Sequence, residues 1–218
     1  MREVALSKKA DFPVIEFPVP GNGQRTPQFD ERFVQILTTA AEVIADEGYE
    51  KASIRKIAAR TGMSIAGLYY YFKSKEEVLY LIQFHTFDSL VKNLKQRLET
   101  AGRASAEARI HLVVENHLSH FLNHLPELKV CARELESLRN DAYDKVLAKR
   151  REYYLITREI IDELSEGSGQ RLDSDMAALA LFGMLNWVYM WYNPRRHRDL
   201  KILEEQLSGI FINGIRPR

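Results

Sequence analysis

Residues 51–75 have the types and spacing needed to hold a row of phosphates. This segment contains six basic residues and no acidic one, although the whole chain carries 31 Lys and Arg against 30 Asp and Glu. The basic residues are Lys51, Arg55, Lys56, Arg60, Lys73 and Lys75. Tyrosines at 69–71 add hydroxyls that hydrogen-bond to phosphate oxygens. Because duplex DNA presents closely spaced phosphates, this local charge predicts salt-dependent DNA binding. An ordinary helical hairpin with a solvated basic face is the alternative.

The same segment predicts two short helices around a tight turn. Ser53 is a helix N-cap, and the apolar residues after it recur at steps of three and four. Gly62 stands where the first helix must end, because glycine adopts the left-handed conformation easily. Ser64 caps a second helix, in which Leu68 points inward. Two helices joined by a glycine-containing turn are the geometry of a helix-turn-helix, whose second helix enters the major groove.

The run from Phe29 to Leu79 resembles the N-terminal domain of the TetR family of transcriptional regulators. The features in family order are the leading helix, the IA pair, the G-M-S turn, L-Y-Y-Y-F and K-S-K-E-E-V-L. The resemblance implies a regulator that binds an operator as a dimer. It also implies DNA-binding roles for Ser53, Ile54, Arg55, Ser64, Ile65, Ala66, Gly67, Tyr69, Tyr70 and Lys75, the last at a phosphate.

Two positions depart from the family pattern. Many members have a lysine where this chain has Ile65, and a Thr or Ser where it has Gly67. The reading face therefore lacks one basic and one hydroxyl contact, and Ile65 is suited instead to the methyl group of a thymine.

The composition and the positions of helix-capping and helix-breaking residues predict an all-α chain of about nine helices. The N-terminal arm, residues 1–28, holds four of the seven prolines and is expected to be flexible. A three-helix DNA-binding domain is expected at 29–74 and a ligand-binding and dimerisation bundle at 75–218. Beyond the head, helices are predicted at about 74–98, 106–125, 126–138, 141–165, 173–192 and 200–213.

The last two predicted helices carry more apolar surface than one small chain can cover. The segment 176–192 is apolar on nearly all sides, and the final helix adds a second apolar stripe. A four-helix interface between two copies would bury both, which also agrees with where the family dimerises. The residues predicted at this interface are Phe182, Leu185, Tyr189, Leu203, Leu207, Ile210 and Phe211. A purely intrachain core is the alternative.

The bundle is predicted to bind an effector. The stretch LFGMLNWVYMWYNP resembles a TetR subgroup that controls fatty-acid, phenylacetate and steroid breakdown and senses acyl-CoA thioesters. That resemblance implies a repressor released from a palindromic operator by an acyl-CoA; a hydrophobic drug or aromatic compound is the alternative effector. The residues predicted to line the pocket are Phe84, Phe87, Phe121, Leu125, Arg150, Trp187, Met190 and Trp191.

Other classes find little support in the sequence. No phosphate-binding glycine loop, G-x-S-x-G, H-E-x-x-H or cysteine pair is present, so we expect no enzyme and no cofactor, although a helical enzyme or interaction module stays open. His117, His120 and His124 share one helix face, which allows a metal site; boundary positions of the apolar face are the simpler interpretation. We expect a cytoplasmic protein that does not partner a membrane.

Overall fold

The computed structural model describes residues 26–168, 173–193 and 199–215. Within these ranges the chain forms nine α-helices and one short 3₁₀ turn, and no strand, so the all-α prediction is confirmed. The expected N-terminal arm lies outside the described residues except for its last three positions. No described helix is both long and apolar enough to cross a bilayer.

The helices follow the chain in a simple order. They are α1 (Pro27–Glu47), α2 (Ile54–Thr61), α3 (Ile65–Tyr69), α4 (Lys75–Ala101), α5 (Ala106–Asn123), α6 (Leu125–Arg133), the 3₁₀ turn η1 (Leu135–Ser137), α7 (Asn140–Ser168), α8 (Ser174–Trp191) and α9 (Leu200–Ile215). Serine N-caps begin four of them, at Ser53, Ser64, Ser74 and Ser105.

The first helix begins before the predicted end of the arm. Thr26 is its N-cap, and the Thr26 hydroxyl accepts a hydrogen bond from the Phe29 N–H at 3.2 Å. Pro27 occupies the first turn, where a missing N–H costs nothing because that N–H would have no helical partner. Reading this proline as a helix blocker was therefore wrong for positions 27 and 28.

The sixth predicted helix is shorter than expected. It ends at Arg133 instead of continuing to about position 138, and η1 follows it. The Glu134 carbonyl oxygen accepts a hydrogen bond from Gln83 Nε2 at 3.0 Å, and the Glu134 carboxylate binds the Tyr49 N–H at 3.1 Å. These bonds to other parts of the chain hold Glu134 outside the helix, and sequence periodicity has no access to them.

Two clusters of buried apolar residues organise the molecule. The head cluster joins α1–α3 to the start of α4 and also includes Val130, Leu138 and Val146 of the bundle segments. The bundle cluster joins the rest of α4 to α5, α7, α8 and α9. The predicted domain boundary at 74/75 therefore crosses continuous packing, since the first two turns of α4 belong to the core of the head.

Candidate nucleic-acid interface and effector site

The turn between α2 and α3 has the geometry that its sequence predicts. The Ser53 hydroxyl accepts a hydrogen bond from the Lys56 N–H at 3.3 Å, and the Ser64 hydroxyl accepts one from the Gly67 N–H at 3.0 Å. Gly62 has φ 66° and ψ 25°, the left-handed conformation that ends α2. These three local devices fix where α3 starts and in which direction it runs.

One buried side chain attaches α3 to the head. Leu68 is 1% exposed and packs in the head cluster, whereas Ile65, Tyr69 and Tyr70 on the outer face are 41%, 51% and 50% exposed. Ala66 is also exposed. Such large side chains held outward on a single-turn helix are available to a groove. Tyr70 also packs edge-on against the Phe29 ring at a centroid distance of 6.1 Å, which leaves Tyr69 as the less constrained of the two.

The Gly67 departure from the family pattern has a local physical reason. A Cβ atom added at Gly67 would lie 3.2 Å from the Ser64 hydroxyl oxygen and 3.4 Å from Met63 Cε. The first distance is tighter than most Cβ contacts and the second is at the limit of ordinary van der Waals contact, so a larger residue would require the Ser64 side chain that caps α3 to shift. Glycine therefore preserves the helix start at this position.

Acidic residues of α1 neutralise part of the positive charge of residues 51–75. Lys56 Nζ lies 2.6 Å from a Glu47 carboxylate oxygen, and Arg60 Nη2 lies 3.2 Å from one of Glu42. Both acids belong to α1, which packs on α2 and precedes residues 51–75 in the chain. Arg55, by contrast, is exposed and forms no ion pair within the described residues, so it is the most available cation at the start of α2.

The Lys75 ammonium holds the α1–α2 connection in the DNA-free chain. It donates to the Tyr49 and Ala52 carbonyl oxygens at 3.0 and 3.2 Å and lies 4.2 Å from the centroid of the Tyr49 ring. The phosphate role that the resemblance implies for Lys75 stays a prediction, because that contact would have to share or replace these bonds. Ser53 and Ile54, also predicted to bind DNA, are partly exposed at the start of α2.

A chain of hydrogen bonds runs from the bundle to the same connection. Arg150 Nη2 on α7 donates to Gln83 Oε1 on α4 at 2.9 Å, and Gln83 Nε2 donates to the Glu134 carbonyl oxygen. The Glu134 carboxylate then accepts the Tyr49 N–H. Gln83 is fully buried, so both ends of its amide are satisfied by these two partners alone. We call this series the Arg150–Tyr49 relay.

Arg150 is a half-buried cation with unusual surroundings. Its guanidinium lies 4.7 Å from the centroid of the Phe87 ring and donates to the Cys131 carbonyl oxygen, while its Nε has no hydrogen-bond partner. Burial lowers the pKa of Arg150 and raises that of the Cys131 thiol to about 11. No carboxylate of the described residues forms an ion pair with Arg150, so its charge is uncompensated there.

A line of aromatic rings continues from Arg150 into the bundle. Phe87 lies 6.5 Å from Phe121, and Phe121 lies 4.6 Å from the His117 ring, measured between centroids. His117 in turn lies 6.0 Å from both Tyr153 and Phe182. The rings come from α4, α5, α7 and α8, so the line marks the place where the bundle helices converge.

The predicted pocket residues divide into three groups. Phe87, Phe121 and Leu125 pack in the bundle cluster as expected, but Phe84 packs with the head cluster. Trp187, Met190 and Trp191 are 60%, 52% and 45% exposed on α8, and so they lie on the outside of this chain. Helical phase explains the difference: an all-round apolar helix does not show in its sequence which stripe faces outward.

Two of the seven residues predicted at the dimer interface lie in the core of the chain, and the other five stay a prediction. Leu185 and Phe211 are buried in the core of their own chain, and Phe182, Tyr189, Leu203 and Leu207 are only partly exposed; Ile210 is 60% exposed. The outward stripes are formed instead by Met176, Leu179, Trp187, Met190 and Trp191 on α8 and by Ile202 and Ile210 on α9.

The histidines at 117, 120 and 124 do not converge. His117 is buried among aromatic rings, and the His120 and His124 rings lie 4.9 Å apart, with His124 Nδ1 2.7 Å from the His120 carbonyl oxygen. Burial lowers the pKa of both His117 and His120 to about 3. In the part of the chain that the structure describes, no three His, Cys, Asp or Glu side chains come together as a metal site.

Two family models together match most of the chain. Residues 36–80 match the bacterial regulatory proteins of the tetR family, and residues 103–215 match the tetracyclin repressor-like C-terminal domain. The first match contains α2 and α3, and the second contains the aromatic line from α5 onward.

Characterised relatives and solved structures point to the same family. The fatty acid metabolism regulator protein of Bacillus subtilis is 25% identical over 187 residues, covering 84% of this chain and 95% of that protein. The HTH-type transcriptional activator FasR of Mycolicibacterium smegmatis is 41% identical over 99 residues, covering 42% and 45%. A crystal structure of AibR with isovaleryl coenzyme A and operator DNA superposes with a TM-score of 0.71 at 25% identity, covering 84% and 97%. The chain therefore belongs to the TetR family and is a DNA-binding transcriptional regulator.

Proposed function

We propose that this protein is a homodimeric repressor that leaves a palindromic operator when an acyl-CoA binds in its bundle. The main support for operator binding is the exposed outer face of α3. There Ile65, Tyr69 and Tyr70 are held outward on a helix that Leu68 and the Ser64 cap fix in place. Ile65 is suited to a thymine methyl, and the tyrosine hydroxyls to phosphates.

The dimer is supported by the two outward apolar stripes of α8 and α9. Met176, Leu179, Trp187 and Met190 are separated by three, eight and three positions, which correspond to about one, two and one helical turns, so they form one face of α8. Large side chains exposed this far on neighbouring helices are typical of a surface that another chain covers. A two-fold axis through this surface would present two α3 helices to a palindromic operator.

The effector class is supported by what the relatives bind or control and by the chemistry of the bundle. One relative is a fatty acid metabolism regulator, and the AibR crystal contains isovaleryl coenzyme A. The uncompensated Arg150 suits an anionic group, and the aromatic line that begins at Phe87 suits an acyl chain. An aromatic effector would also fit this line, so the two classes must be separated by titration.

Repression is proposed because it is common in the family, but one relative is an activator. FasR is named as an activator, so membership of the family does not decide the sign of regulation. A reporter gene placed behind the selected operator tests the sign: deletion of the regulator raises expression if it represses and lowers expression if it activates.

The Arg150–Tyr49 relay is our proposed route from effector to DNA. An anionic effector that binds Arg150 would compete with Gln83 and Cys131 for the guanidinium donors. Loss of the bond to Gln83 frees the side chain that holds Glu134, and Glu134 holds the Tyr49 N–H beside α2. A ligand shifts an equilibrium only by binding one state better, and this competition supplies such a difference.

The DNA assignment is tested by selecting bound fragments from a random duplex library. The wild-type protein is expected to enrich a palindrome with half-sites about one helical turn apart, and its affinity should fall steeply with salt. Tyr69→Ala should weaken operator binding about tenfold, consistent with one lost contact of about 1.4 kcal/mol. Leu147→Ala, an exposed residue on α7, serves as the control; equal binding by Tyr69→Ala would contradict this reading face.

The dimer is tested by sedimentation of a charged variant. Trp187→Glu places a carboxylate in the proposed interface and should convert the wild-type dimer to monomer at micromolar concentration. Leu147→Glu introduces the same charge on another exposed apolar residue and should leave the dimer intact. A Trp187→Glu protein that stays dimeric would exclude this surface.

A further inference from the structure

His117 and Tyr153 form a polar pair at the centre of the bundle core. Their rings lie 6.0 Å apart, and the two residues are each 2% exposed. Phe121 and Phe182 pack against the His117 ring, and Phe182 also lies 5.5 Å from Tyr153. Aromatic rings therefore surround much of the pair.

Neither polar group has a hydrogen-bond partner in this core. Both His117 ring nitrogens and the Tyr153 hydroxyl are buried without one. The Asn186 side chain lies close enough to His117 to raise its pKa, and the Asn116 side chain close enough to Tyr153 to lower its pKa, but within the described residues neither pair meets the distances and angles of a hydrogen bond. Asn116 instead donates to the Leu90 carbonyl oxygen at 3.0 Å. An unpaired buried polar group costs about 1 to 3 kcal/mol, so phenylalanine would serve packing better at both positions.

We propose that His117 and Tyr153 donate hydrogen bonds to the carbonyl oxygen of the effector's acyl group. This inference rests on the acyl-CoA effector proposed above and names the part of it that the core recognises. A thioester carbonyl oxygen accepts two hydrogen bonds and brings no donor of its own, which complements two unpaired donors. The alkyl chain beyond the carbonyl would lie among the rings that surround the pair.

The surroundings favour a neutral carbonyl over the carboxylate of a free fatty acid. Burial keeps His117 neutral at physiological pH, with one N–H to donate. The rings of Phe121 and Phe182 pack on the pair and the amides of Asn186 and Asn116 lie near it, and none of these four side chains carries a positive charge. An ionised carboxylate transferred to such a place is strongly disfavoured unless it is paired.

Phe182 is the side chain that must move to admit a ligand. It contacts His117, Tyr153 and Tyr154, yet it is only partly buried, whereas the first two are buried fully. Displacement of this one ring would expose both donors. Phe182 is on α8, the helix that also carries the proposed dimer stripe.

The test compares thioesters with thioethers that lack only the carbonyl oxygen. Binding of octanoyl-CoA and palmitoyl-CoA, and of S-octyl-CoA and S-hexadecyl-CoA, is measured by calorimetry on the full-length protein. Wild type should bind the thioether about 5- to 30-fold more weakly than the matching thioester. In Tyr153→Phe and His117→Phe this ratio should shrink towards one. Tyr154→Phe, whose hydroxyl already bonds to Asp175 at 2.5 Å, should keep the wild-type ratio.

The outcomes distinguish failure of the proposed carbonyl contact from failure of the proposed acyl-CoA effector. If wild type binds neither acyl-CoA, the proposed effector is contradicted. If wild type binds acyl-CoA and the ratio is the same in Tyr153→Phe, only the role of the pair is overturned, and a buried water is then its partner. Tighter binding of palmitate than of palmitoyl-CoA would also overturn it, in favour of a carboxylate. Tyr153→Phe removes an unpaired hydroxyl, so its thermal stability should equal or exceed that of wild type, and loss of folding does not obscure the comparison.

Discussion

The head and the bundle use polar side chains in opposite ways. In the head, Ser53 and Ser64 bind helix N–H groups at the surface, and Lys56 and Arg60 pair with acids of α1. In the bundle, His117 and Tyr153 are buried without partners. The head is therefore complete as a folded unit that presents a surface, whereas the core of the bundle keeps polar groups that a bound molecule would satisfy.

The largest effect is expected where the head depends on one apolar contact. Leu68→Ala leaves a cavity beneath α3 and should lower the free energy of unfolding by about 3 kcal/mol, with loss of operator binding. Denaturant unfolding and fluorescence anisotropy measure the two effects. Leu147→Ala, on an exposed position of α7, should change stability by less than about 0.5 kcal/mol. A stable Leu68→Ala protein that still binds DNA would mean that α3 is held by something else.

A smaller effect is expected at Gln83, where the Arg150–Tyr49 relay connects the bundle to the head. Gln83→Leu removes both buried hydrogen bonds of the Arg150–Tyr49 relay and should cost about 2 to 3 kcal/mol of stability. The variant should still bind both operator and effector, but the effector should change operator affinity less than it does in wild type. Gln96→Leu, exposed on the same helix, is the control. Undiminished coupling in Gln83→Leu would remove the relay from the mechanism.

A smaller effect tests the buried state of His117 by pH. Its pKa is about 3 in the folded chain and near 6.5 when unfolded, so between these values the unfolded state binds more protons. Stability therefore falls as pH drops below about 6.5, by about 2 kcal/mol from this residue between pH 7.5 and pH 5. The fall should be about 2 kcal/mol smaller in His117→Phe than in wild type or in His111→Phe, which changes an exposed histidine. Equal pH dependence in all three would place His117 in contact with solvent.

The sequence predicted the parts of the structure that local chemistry determines. Ser53, Gly62 and Ser64 were assigned as helix boundaries from residue type alone, and each has the expected bond or dihedral angle. Capping involves residues within four positions of each other, so a short window contains all the information it needs. The positions and order of the nine described helices follow from similar signals.

Contacts between distant segments could not be predicted from the sequence. The acids that pair with Lys56 and Arg60 lie 9 and 18 residues away on another helix. The end of α6 at Arg133 depends on Gln83, which lies 51 positions from Glu134. The outward stripe of α8 could not be chosen because that helix is apolar on most sides, so Trp187 was predicted in the pocket and Leu185 at the interface. In the sequence His117 is distinguished only by its spacing from other histidines, and no pattern distinguishes Tyr153 from other tyrosines.

The central claim is that an acyl group bound in the bundle releases the head from DNA. Anisotropy of a labelled operator, selected with the protein itself, measures this directly when operator affinity is determined with and without saturating palmitoyl-CoA. We expect operator binding to weaken by about 10- to 100-fold, and operator DNA to weaken palmitoyl-CoA binding by the same factor. Palmitoyl-CoA that binds to the protein and leaves operator affinity unchanged would contradict it.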